Sequence, residues 1–73
     1  MGLTPDYRVV LGAEIRKVRR RLGITQERLA ERADLRLNYL VRVESGEAIV
    51  SLAILRNIAK ALGVRVHDLV VGI

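Results

Sequence analysis

Apolar residues recur along this chain at the spacing of helices, not strands. Leu11, Ile15, Val18 and Leu22 follow at steps of four, three and four, which lays one apolar stripe along a helix of 3.6 residues per turn. Ahead of them, Thr4-Pro5-Asp6 reads as a helix start: Thr as N-cap, Pro at the first helical position, an acid in the first turn. Gly23 closes the segment, so the pattern predicts a helix over 5–22. Thr25 caps a second helix, 26–33, with Leu29, Ala30 and Ala33 inward, and Asp34 breaks it. Leu40 and Val43 form the inner side of a third helix, 37–45, stopped by Gly46. Ser51 opens a fourth, 52–62, with Leu52, Leu55, Ile58, Ala59 and Leu62 on its apolar side and Gly63 beyond its end. A short last helix is expected over 66–71. No stretch alternates long enough to make a strand, and no repeat or low-complexity segment interrupts the pattern. The expected fold class is all-α, a compact five-helix bundle.

Seventy-three residues hold one core, so 1–73 is read as a single domain. A chain this short is marginal in stability, and without cysteine it has neither disulfides nor thiolate metal sites to help. The second and third helices are too short to persist alone in water, so they depend on packing against the first and fourth. No apolar run approaches the roughly 20 residues of a membrane span. The opening "MGLTPDYR" lacks the basic and apolar regions of a signal peptide. Gly2 invites a myristoylation check, but Asp6 stands where Ser or Thr is wanted. The expected address is the cytoplasm.

The net charge of +5 attracts polyanions in general, and its distribution is more informative than its size. Residues 1–33 carry eight Lys/Arg against four Asp/Glu, residues 34–50 two against three, and residues 51–73 three against one. The basic excess lies chiefly on the first helix, where Arg16, Lys17, Arg20 and Arg21 make a charge run that reads mainly as a solvated face.

Residues 26–45 form one unit. Two helices joined by a tight turn and crossing steeply need a small side chain where their backbones approach, and Ala30 supplies it. Their turn needs a residue that tolerates positive φ, which Asp34 does at some cost. Leu29, Ala33, Leu35, Leu40 and Val43 hold the pair together, as in a helix-turn-helix. On the third helix, Asn38, Val41, Arg42 and Ser45 share the outer side, with Leu37 on its flank. Asn can bond adenine twice, Arg can bond guanine twice, and Leu37 or Val41 can touch a thymine methyl.

"IRKVRRRLGITQERLAERA", followed by "YLVRVESG" and "LRNIAKALGV", resembles the Cro/Xre-like helix-turn-helix family of phage repressors and small bacterial regulators, over about residues 8–71. The resemblance implies a lambda-repressor-like five-helix domain that binds double-stranded DNA as a two-fold dimer, with its third helix in the major groove. It also implies roles for particular residues. Arg36, Leu37, Asn38, Val41 and Arg42 would approach bases, Thr25 and Gln26 would contact phosphate, and Tyr39 would lie against the sugar–phosphate backbone. Arg19 and Glu44 would form an ion pair tying the first helix to the third. Asp34 departs from the family's usual Gly, and Arg36 from its usual Ser or Thr cap.

The apolar surplus of Ile49, Val50, Ile54, Val66, Val70, Val71 and Ile73 either completes a small core or forms a dimer interface. Ile49, Val50, Ile54, Val70, Val71 and Ile73 are taken as that interface, because Val71 and Ile73 are hard to bury within one protomer. The expected function is a sequence-specific transcriptional regulator of prokaryotic or phage type on a palindromic operator. The alternative is a protein-interaction module of the same fold that uses Leu37 and Val41 to bind another regulator. Nothing arranges Ser, His and Asp for catalysis, and His67 has no second His or Cys for a metal. Neither enzyme activity nor a cofactor or small-molecule substrate is expected.

Overall fold

The computed structural model describes residues 6–73; Thr4 and Pro5, read above as cap and first helical residue, lie outside them. Five helices follow in order: α1 (Tyr7–Arg21), α2 (Gln26–Arg32), α3 (Leu37–Glu44), α4 (Leu52–Leu62) and α5 (Val66–Leu69). The described residues contain no strand. Asp6 is the N-cap of α1, not a member of its first turn: its carboxylate accepts the Arg8 N–H at 2.9 Å. The Arg8 guanidinium folds back onto it at 2.6 Å, and these bonds lower the Asp6 carboxyl to about 2.

Ile15, Leu29, Leu40, Val43, Ile58 and Leu69 form the fully buried centre, so every helix contributes to one core. α1 lies on α3 and α5, and α4 lies on α2 and α5. Burial of each such side chain stabilises by roughly 1.5–3 kcal/mol, which is how a four-residue α5 can persist.

Two positions in the predicted stripes face out. Leu22 is 50% exposed, because the chain leaves α1 there as its C-cap. Leu52 is 66% exposed; it shares the phase of Leu55 and Ile58 but stands at the first position of α4.

The placement of α3 depends on close backbone approaches. Ala30 is buried beside α3, and the Leu35 N–H donates to the Ala30 carbonyl at 2.8 Å, closing the turn. Asp34 takes φ 56°, a left-handed conformation that costs an L-residue about 1–2 kcal/mol. On the other side of α3, Gly12 of α1 sits against the Val43 and Glu44 carbonyls. A Cβ at Gly12 would lie 2.7 Å from the Glu44 oxygen and closer still to that of Val43. Gly46 combines φ 80° with a close approach to Val9, so it both ends α3 and lets α1 pass. Ala48, buried between α3 and α4, anchors the loop that follows.

Candidate nucleic-acid interface

The inner side of α3 is a junction of charges. Glu44 has no exposed side-chain surface and Arg19 little. Arg19 grips the carboxylate with two bonds, Nε to Oε2 at 2.7 Å and Nη2 to Oε1 at 3.0 Å. Its remaining Nη1 donates to the Ile24 carbonyl at 2.9 Å, fixing the turn between α1 and α2. Gln26 adds a third bond to the same carboxylate, Nε2 to Oε1 at 3.0 Å. Arg16 brings its Nε to 3.5 Å from Oε1 without making a hydrogen bond. Burial pushes the Glu44 carboxyl up, but the bonds from Arg19 and then Gln26 outweigh it and hold the group below its ordinary value. One carboxylate thus joins α1, α2 and α3.

The outer side of α3 differs in kind. Arg36, Leu37, Asn38, Val41 and Arg42 are all exposed. Arg36 occupies the N-cap position with no side-chain capping bond. Among the described residues neither Arg36 nor Arg42 pairs with a carboxylate; Arg42 Nη2 lies 3.5 Å from the Glu47 carbonyl.

Each side chain assigned to phosphate has an internal partner. Thr25 Oγ1 accepts the Arg28 N–H at 3.0 Å and so caps α2. Gln26, half-buried, keeps one amide hydrogen free after bonding Glu44, since a carboxamide has two. Tyr39 donates its hydroxyl hydrogen to the Ile49 carbonyl at 2.7 Å, tying α3 to the following loop.

Of the residues taken as a dimer interface, Ile49, Val71 and Ile73 are exposed, whereas Val50, Ile54 and Val70 pack partly on the core. Three participants escaped the sequence reading. Arg16 belongs to the Glu44 junction and not simply to a solvated run. Gln26 reaches Glu44, a contact between residues 18 apart that no local pattern encodes. Gly12 was visible only as a glycine inside a helical pattern, where its cost of about 1 kcal/mol against alanine hints at a packing reason. Among the described residues no cluster of three or more potential metal ligands occurs, and no helix is long and apolar enough to cross a membrane.

Two short helices, closed by a tight turn and presenting the outer side of the second, define a helix-turn-helix domain. Comparison with known proteins agrees. The profile of the helix-turn-helix family matches residues 15–69. Control protein C.BamHI of Bacillus amyloliquefaciens is 37% identical over 68 residues, covering 92% of this chain and 84% of that protein. The immunity repressor protein of Bacillus phage phi105 is 36% identical over 62 residues, 85% of this chain and 43% of the repressor. Among solved structures, the restriction-modification controller protein C.AhdI from Aeromonas hydrophila superposes with a TM-score of 0.84 at 34% identity, covering 85% of this chain and 94% of that one. The chain belongs to the Cro/Xre-type helix-turn-helix family of DNA-binding transcription regulators.

Proposed function

We propose that this protein regulates transcription by binding a palindromic or near-palindromic operator as a homodimer, with α3 of each protomer in the major groove. The observation that carries the reading is the outer side of α3, where two arginines without carboxylate partners flank Asn38, Leu37 and Val41 on an exposed surface. Arg36, Asn38 and Arg42 supply hydrogen-bond donors for base edges. The free amide hydrogen of Gln26 and the backbone N–H groups opening α2 face phosphate, where an anion is favoured. Thr25 holds that helix end in shape, and Tyr39 lies beside the DNA backbone.

Dimerisation rests on the apolar surface left by Ile49, Val71 and Ile73 with half-buried Val50, Ile54 and Val70. Exposed Leu52 joins this set. Two-fold pairing would space the reading helices about 34 Å apart, one turn of DNA. Such a regulator works in the cytoplasm, on the nucleoid.

Selection of bound fragments from random duplex DNA tests the reading. The expected product is a two-fold symmetric site whose affinity falls steeply with salt, because each neutralised phosphate adds about −0.9 to the slope of log K against log salt. Failure to enrich any site, together with stoichiometric binding of another protein through Leu37 and Val41, would instead establish the interaction-module reading.

A further inference from the structure

Leu37 and Val41 are 38% and 39% exposed and stand one turn apart on the outer side of α3, between Arg36 and Arg42. They contribute nothing to phosphate binding, and neither can bond a base edge. Two side chains also make far too little apolar surface for a stable protein contact, which needs about 800 Å² per partner. Arg36 and Arg42 beside them, which pair with no carboxylate among the described residues, favour a polyanion. The apolar group that a major groove presents is the methyl on C5 of a pyrimidine. Thymine carries it, and 5-methylcytosine places the same group on cytosine. Spacing agrees: four residues of helix rise about 6 Å, close to two steps of a DNA strand at about 3.4 Å each.

We propose that Leu37 and Val41 are specificity residues that sense C5-methyl groups on two pyrimidines about two steps apart in each half-site. Recognition at these positions then follows the methyl group and not the hydrogen-bonding identity of the base, so 5-methylcytosine substitutes for thymine. The inference rests on the DNA-binding reading above and adds to it the chemical state of the DNA preferred.

The test starts from the selected operator. Each thymine is replaced in turn by deoxyuridine, which removes only the methyl, and each sensitive T·A pair by C·G or 5-methylcytosine·G. Deoxyuridine should weaken binding about three- to fivefold at two positions per half-site, as expected for one lost methyl contact, and leave the other positions unchanged. At those two positions 5-methylcytosine should bind about three- to fivefold better than cytosine. Leu37→Ser should abolish the sensitivity at one position and Val41→Ser at the other, with thermal melting showing both exposed variants folded. Deoxyuridine tolerated throughout an operator that the protein still binds would overturn the methyl reading alone, as would sensitivities that persist in both variants. Failure to select any duplex would overturn the DNA-binding reading and this inference with it.

Discussion

The two sides of α3 are built on opposite principles. Inward, Glu44 receives bonds from Arg19 and Gln26 while Gly12 seats α1 directly on the Val43 and Glu44 carbonyls. Outward, Arg36, Leu37, Asn38, Val41 and Arg42 are all exposed, and neither arginine pairs with a carboxylate among the described residues. The inner side fixes where the helix stands, and the outer side is left for something else to satisfy. Mutations on the two sides should therefore fail differently: inner ones by unfolding, outer ones by misreading.

The largest effect is expected at the charged junction. Arg19→Met strands a buried carboxylate, a loss of about 3–5 kcal/mol, whereas Arg19→Met combined with Glu44→Leu should recover much of it. Urea unfolding of the single and double variants measures this, and a double variant as weak as the single would show that the pair is not the source. Acid titration sharpens the point. The Glu44 carboxyl is depressed in the folded state, so its contribution is complete above its ordinary value of about 4.5 and disappears as pH falls through the lower folded value. Glu44→Gln should be less stable at neutral pH, and its stability should fall less between pH 4.5 and the acid limit.

Gly12→Ala comes next. Its new Cβ meets backbone carbonyls that have little room to move, so the loss should lie at or above the upper end of the 1–3 kcal/mol typical of overpacking. A melting temperature within about 2 °C of wild type would refute the close crossing of α1 and α3.

On the outer side, Arg42→Ala should leave melting unchanged and reduce discrimination between bases by about 1–3 kcal/mol at one operator position. Gln26→Ala removes a bond to buried Glu44 as well as the free amide hydrogen, so it should lower the melting temperature and weaken every sequence alike, with the salt slope unchanged because the amide is neutral. If both variants lose affinity uniformly, α3 does not read bases through Arg42. The smallest change is Asp34→Gly, which should gain about 1 kcal/mol by relieving the φ of 56°, detectable as a higher urea midpoint.

Much of this architecture was legible because it is periodic. Leu11, Ile15, Leu29, Leu40, Val43, Ile58 and Leu62 repeat at helical spacing, and all are buried. Periodicity assigns phase but not coverage, which is why Leu22 and Leu52 fall in the apolar stripes although half or more of each is exposed. At the start of α1, Asp6 reads from the pattern as an acid of the first turn, whereas it is the residue that caps. The outer side of α3 followed from phase as well. The junction behind it was only partly readable: family likeness pointed to Arg19 and Glu44, but Gln26 and Arg16 join it through tertiary packing. Ala48 carried no signal, because one alanine in a loop looks the same exposed or buried.

The seat at Gly12 has a consequence for how such a regulator diversifies. Main chain rests on main chain there, so the elevation of α3 does not depend on its outward side chains. The outward residues can be exchanged freely while the frame that presents them keeps its dimensions. A new vocabulary then requires no new grammar.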